Sequence, residues 1–198
     1  MTKTNLIRSA LAIALTSALA ATTANAAVFV KYDGVDGEAQ GPGDTGSFDW
    51  FEADSFSFGV EREMKESGEK GGTADINIGV GELQECTIEK SMDSSTVSLA
   101  QAAVSGRTLG SCEVCVTDDG DTSEPPECIA RYVMERCYVK SWSTSADADD
   151  RPTEEVAFYY NKIAFGIDDG RDEAMSWDNE KNQPWGEGEE WILGPSPR

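Results

Sequence analysis

The chain has 198 residues, of which 37 are Asp or Glu, 16 are Lys or Arg and none is His, giving a formal net charge of −21. Without His there is no Ser-His-Asp or Cys-His triad and no His-based metal site. So negative a surface, with no basic stripe, excludes nucleic acid and anionic lipid as partners, while a hydrophobic fraction of 39% supplies one ordinary core and suggests one domain with tails.

Residues 1–26 read as a secretory signal peptide. Lys3 and Arg8 make a basic start, Leu11 to Ala21 is apolar apart from Thr16 and Ser17, and Ala24-Asn25-Ala26 is a small-x-small cleavage site. The apolar stretch is too short for a membrane anchor, and nothing after it is long enough to span one. Removing Lys3 and Arg8 leaves 14 basic against 37 acidic residues, a net of −23. That charge suits solubility outside the cell, in the periplasm or beyond it.

Val28 to Asp33 predicts a strand, followed by the turn Asp33-Gly34-Val35-Asp36-Gly37. Residues 38–49 predict a loop. Trp50 to Val60 predicts an aromatic strand with Phe56, Phe58 and Val60 on one face. Glu61 to Gly72 is charged and predicts a solvated connection. Ile76, Ile78 and Val80 alternate as in a strand, and Leu83 to Glu89 is expected to continue that sheet.

A helix is expected over Thr96 to Ser105, with Ser94 or Ser95 as N-cap and Gly106 as the left-handed residue that ends it. Val97, Ala100 and Val104 recur at helical spacing, flanked by Leu99 and Ala103. Thr108 to Val116 and Cys128 to Trp142 predict two strands joined by the loop 117–127. In the second, Ile129, Val133, Cys137 and Val139 are expected to share a face. Ser143 to Pro152 predicts an acidic loop and Glu155 to Ile167 a last strong strand. Many strands and one central helix indicate a β-sandwich or barrel capped by the helix.

Five Cys occur, at 86, 112, 115, 128 and 137. In an exported chain they are disulfide candidates, and the odd number leaves at least one over. Cys115 and Cys128 flank residues 116–127 at the near ends of two strands expected to pair as a hairpin, so they are the expected bridge. Cys112-x-x-Cys115 invites a redox or zinc reading. It falls in a predicted strand between acids, where a thiolate is disfavoured, and the later Cys lack paired zinc spacing. The acidic loops at 118–127, 147–150 and 168–173 do not match a twelve-residue calcium loop. No catalytic, cofactor or metal residue is assigned. Trp50 and Trp142 are expected to pack in the core or on a strand face, and Trp185 and Trp191 to dock on the domain or on a partner.

Several runs, taken in order, carry a resemblance. They are Ala27-Val28-Phe29-Val30-Lys31-Tyr32-Asp33-Gly34-Val35-Asp36-Gly37-Glu38, then Trp50-Phe51-Glu52 with Ser55-Phe56-Ser57-Phe58-Gly59-Val60. Next come Ile88-Glu89-Lys90, Ser98-Leu99 and Ala102-Ala103-Val104-Ser105-Gly106. Last are Cys137 through Ser143 with Glu154 through Ile163, and Trp177-Asp178 with Lys181-Asn182. Over 27–182 the chain resembles the Hcp (haemolysin-coregulated protein) family, tube subunits of type VI secretion systems.

The resemblance implies a mainly β fold, a barrel or sandwich of two antiparallel sheets with one helix. It also implies hexameric rings that stack into tubes and carry effectors, with spike proteins as further partners, and no enzymatic role. The implied organisation is a signal peptide (1–26), an Hcp-like domain (27–182) and an acidic Gly/Pro/Trp-containing tail (183–198). The leader and the Cys-rich segment 112–137 depart from the family pattern. An exported binding or assembly module on the same fold, outside any injection machine, is therefore the alternative. A secreted enzyme or redox protein is the third reading, and the missing His and the strand setting of Cys112-x-x-Cys115 count against it.

Overall fold

The computed structural model describes residues 26–42, 48–66, 76–118, 127–167 and 173–185, with side chains given outside 64–66, 76–80 and 173. The leader expected before Ala26 and the tail beyond Trp185 lie outside the described residues. In chain order the elements are β1 (Val28–Tyr32), β2 (Trp50–Ala53), β3 (Ser55–Ser57), β4 (Val60–Glu66), β5 (Ile76–Leu83), β6 (Cys86–Ser91), α1 (Thr96–Ser105), β7 (Ser111–Thr117), β8 (Cys128–Glu135), β9 (Tyr138–Ser145), β10 (Thr153–Tyr159), β11 (Lys162–Ile167) and β12 (Glu173–Asp178).

Two antiparallel sheets form a sandwich. One has six strands in the order β12-β11-β8-β7-β1-β2, the other four in the order β3-β6-β10-β9. The fold is thus mainly β with one helix, as the sequence implies. A third, two-stranded sheet of β4 and β5 is an addition to the two sheets expected. Alternation along each strand sends every second side chain between the sheets. Val30 and Tyr32, Phe51, Cys112 and Val114, Met134 and Ile163 come from the larger sheet. Cys86 and Ile88, Val139, Val156 and Phe158 come from the smaller one, and Leu99 and Ala102 of α1 close the same core.

Three expected long strands are each two strands that change sheets. Trp50 to Val60 breaks at Asp54, whose amide donates to Glu89 O at 2.7 Å; β2 stays in the larger sheet and β3 joins the smaller. Cys128 to Trp142 breaks at Arg136, which takes a positive φ of 57°. Glu155 to Ile167 breaks at Tyr160-Asn161, where the Asn161 amide donates to Glu135 O at 3.1 Å. Each corner is only a residue or two long and has no Gly or Pro, so pattern alone joins the apolar residues on its two sides.

Other expectations are also corrected. Val60 is exposed, unlike the buried or half-buried Phe56 and Phe58. Of the stretch 61–72, expected as a solvated connection, residues 61–66 pair with β5 as part of β4, and 67–72 lie outside the described residues. Ile129 is exposed and does not share the buried face of Cys137 and Val139. β12 was not anticipated, and it pairs along β11 with Trp177 opposite Ile163.

The helix has its expected limits and ends at Gly106 with φ 65°. Its buried residues are Thr96, Leu99 and Ala102, while Val97 and Val104, expected on the apolar stripe, are 72% and 91% exposed. The cap also differs. Ser95 makes no side-chain cap bond; Asp93 Oδ1 accepts from the Ser95 amide at 2.9 Å, and Thr96 Oγ1 accepts from the Asp93 amide at 3.0 Å. Leu99→Ala is therefore expected to cost about 2–5 kcal/mol, and Val104→Ala to change stability by less than about 0.5 kcal/mol, read from urea unfolding midpoints. Equal losses at the two positions would contradict the assigned face.

Candidate assembly surfaces and cysteine sites

The turn after β1 is held by its own conspicuous residues. Asp33 Oδ2 accepts from the Ser111 amide at 2.9 Å and its hydroxyl at 2.8 Å, pinning the start of β7. Glu38 Oε1 accepts from the Ser94 amide at 3.0 Å, just before the helix. At Gly37 a Cβ would stand 1.8 Å from Trp50 O, and at Gly41 2.1 Å from the Trp50 ring. Only glycine lets the loop lie so close to the β2 backbone at Gly37 and over the indole at Gly41. The motif that carries the family resemblance is thus a brace joining β1, β2, β7 and α1.

Beneath that loop, on the side of the larger sheet away from the sandwich, Phe29, Trp50, Cys115 and Cys128 form a second small core, with Ala27 and Ala39 against it. Cys115 and Cys128 are joined as a disulfide with Cα atoms 5.4 Å apart. They are not directly opposite, as the hairpin argument expects. Cys115 faces Arg131 and Cys128 faces Thr117, with a bulge between Val116 and Thr117, so the bridge runs diagonally across the bulge. Cys112 points the other way, into the main core. The two members of Cys112-x-x-Cys115 lie on opposite faces of β7 and cannot act as one site.

Cys86, Cys112 and Cys137 are free and buried. The Cys86 thiol donates to Met134 Sδ at 3.3 Å. Burial pushes the Cys86 thiol up to about 12, with the neighbouring Cys137 adding to the rise. Burial likewise raises Cys112 and Tyr32 well above their ordinary values. Cys86 and Cys112 are therefore inert thiols. Among the described residues no group of three or more Cys, Asp or Glu is placed to hold a metal ion.

The outer face of the smaller sheet has a different character. Its cross-strand rows read Ser55–Glu89–Glu155–Ser143 and Ser57–Thr87–Ala157–Ser141. Small hydroxyl residues dominate, and two carboxylates face each other in the first row, beside a depression of about 270 Å³ that Asp54 also lines. The sheet ends on one side at β3 and on the other at β9, and neither edge pairs with another described strand.

On its inner face lies a buried charge. Lys90 is fully buried, and its Nζ donates to Asp93 Oδ1 at 2.7 Å, Ser91 O at 2.9 Å and Glu154 Oε2 at 3.4 Å. It also sits 5.4 Å from the centroid of the Phe51 ring. Lys90 thus joins β6, β10, β2 and the approach to α1. At the other edge of the larger sheet, Trp185 is buried, its ring 5.0 Å from Lys162 Nζ, and the Ser176 hydroxyl donates to its carbonyl. Residues 183–185 therefore pack on β11 and β12. Trp142 packs against the main core and Trp50 in the small one; Trp191 lies outside the described residues.

This fold, a two-sheet antiparallel sandwich with one mid-chain helix and a separate hairpin, defines the class of the protein. Residues 29–166 match the family described as "Type VI secretion system effector, Hcp", and the chain belongs to the Hcp family. Among solved structures it is similar to "a type six secretion system protein" at 22% identity, with 81% of this chain and 100% of that one covered and a TM-score of 0.65. It is likewise similar to Hcp1 from Salmonella typhimurium, at 16% identity, 81% and 99% coverage and a TM-score of 0.63. A third is the secreted protein Hcp3 from Pseudomonas aeruginosa, at 17% identity, 78% and 98% coverage and a TM-score of 0.55. No curated protein sequence matches the chain.

Two measurements test the sulfur chemistry. Non-reducing peptide mapping is expected to link Cys115 to Cys128, with thiol reagents reaching Cys86, Cys112 and Cys137 only after unfolding. Free thiols at 115 and 128 would reject the bridge. Second, the folded state keeps its raised thiols protonated while the unfolded chain ionises at the ordinary value of 9.0. The associated stability is complete below that value and is lost as pH rises from 9.0 toward about 12. Urea midpoints should fall across this window, and less so in Cys86→Ser. A flat alkaline profile would contradict the buried, protonated thiols.

Proposed function

We propose that the protein is a non-catalytic assembly subunit that is exported, loses its leader after Ala26, and closes into rings, hexameric by the family resemblance, that stack as a tube. Membership of the Hcp family over residues 29–166 carries this reading. The sandwich supports it. The smaller sheet ends in the edge strands β3 and β9, the latter bridged at Tyr138 by Thr108, and strand edges left open are ready templates for another chain. Pairing β9 of one copy with β3 of the next would continue the sheet round a ring, a heterologous contact that closes if the rotation allows. The face of Ser, Thr and Ala rows would then line one side of the ring, where an effector would pass. Spike proteins would meet the ends of the stack.

An exported binding or assembly module outside any injection machine is the second reading. The leader motif Ala24-Asn25-Ala26 and the Cys115–Cys128 disulfide favour it, since both suit an oxidising compartment.

The net charge of −23 opposes contact between copies, and screening over about 10 Å at 0.1 M salt weakens that opposition. Light scattering coupled to size-exclusion chromatography should therefore show a ring mass at moderate salt that loosens in very dilute buffer. A monomer mass at every salt and at high protein concentration would reject the ring and leave the module.

A further inference from the structure

We infer that the structure contains a built receptor for the processed amino terminus, with the Thr117 hydroxyl holding the nitrogen of Ala27. This rests on the reading that the leader is removed after Ala26. In that step water adds across the Ala26–Ala27 peptide bond, under a signal-peptidase class of enzyme, leaving a carboxylate on Ala26 and an α-ammonium on Ala27.

Ala27 already has partners. Its carbonyl accepts from the Thr117 amide at 2.9 Å, extending the β1–β7 ladder one residue past the Val28–Val116 pair. Its nitrogen donates to Thr117 Oγ1 at 3.2 Å, and that hydroxyl donates in turn to Ala27 O at 3.3 Å. Thr117 is 3% exposed. Ala26 is exposed and is the first residue outside the ladder. The predicted scissile bond therefore coincides with the point where the fold begins. Cleavage there turns a backbone amide into a charged donor and keeps its acceptor, and a hydrogen bond from a charged donor is about twice as strong as a neutral one.

The disulfide belongs to the same arrangement. The bulge between Val116 and Thr117 sets Thr117 opposite Cys128, and the Cys115–Cys128 bridge spans that bulge. Ala27 and both Cys pack in the small outer core with Phe29 and Trp50. Two features that belong to export, a cleavable leader and a disulfide, thus meet at one end of β1.

The test uses the full-length gene and the exported product. Intact mass should give a chain beginning at Ala27; a product that starts elsewhere overturns the processing and is read from the mass alone. On a product that does start at Ala27, an aminopeptidase must wait for the ladder end to open. Trimming of Ala27 should be about tenfold faster in Thr117→Val, which loses the acceptor but keeps the shape, and near the wild-type rate in Thr117→Ser. Equal trimming of wild type and Thr117→Val, or wild-type trimming as fast as in urea, overturns the receptor while leaving the cleavage intact.

Discussion

The interaction on which the sandwich most depends is the buried Lys90 ammonium. A cation taken wholly out of water is tolerable only where carboxylates and carbonyls replace its hydration. Here Asp93, Glu154 and the Ser91 carbonyl do so. Each comes from a separate structural duty: Glu154 from β10, Ser91 from the end of β6, and Asp93 from the cap of α1. The same Asp93 oxygen that meets Lys90 accepts the Ser95 amide, so the charge and the helix start are one network. Removing either partner of such a buried pair strands the other, at a cost of about 3–5 kcal/mol. The network has a loose end. Glu154 Oε1 and Trp142 Nε1 are both buried without a partner among the described residues, yet they are an acceptor and a donor at diagonal positions on the β9–β10 ladder.

A second constraint follows from the larger sheet being covered on both sides. Its inner face makes the main core, while its outer face carries the Trp50 core at one edge and Trp185 at the other. A strand covered on both faces loses the clean alternation of a half-exposed one. This is why Cys112 and Cys115 are both buried and yet unrelated. It also explains two conspicuous glycines, since the loop lies on the β2 backbone at Gly37 and on the Trp50 indole at Gly41, and neither leaves room for a Cβ.

Much of the fold is legible in the sequence because local pattern and global structure agree there. The limits of α1, the first strand, the β7–β8 pairing and the Cys115–Cys128 bridge all follow from propensity, turn residues and spacing. The misreadings have two physical sources. Corners at Asp54, Arg136 and Tyr160-Asn161 interrupt the apolar pattern only briefly and carry no Gly or Pro, so neighbouring strands merge in a one-dimensional reading. The face of α1 fails because Val97, Leu99, Ala100, Ala102, Ala103 and Val104 offer more than one apolar stripe. Tertiary contact with β9 selects Leu99 and Ala102, and nothing in the helix alone does. The Lys90 network was hidden for a related reason. A lysine in an Ile-Glu-Lys strand normally reads as solvent-facing, and only the Asp93 and Glu154 positions, brought close by folding, reverse that.

The distribution of charge bears on how such subunits can meet. Several of the few cations are spent within the subunit. Arg131 pairs with Glu113, Lys162 with Glu135, Arg136 with Glu180 and Lys140 with Glu85. Pairs like these on a surface contribute little stability, but each removes a cation that a neighbour's acids would need. A ring held by ion pairs between copies is therefore poorly supplied. In the proposed ring, attraction between copies would fall to uncharged surface, such as the β3 edge, the part of the β9 edge beyond the Thr108–Tyr138 bridge, and the Ser/Thr rows between them. Backbone pairing between strand edges does not depend on net charge, and repulsion of the acidic remainder would then set the salt at which it prevails.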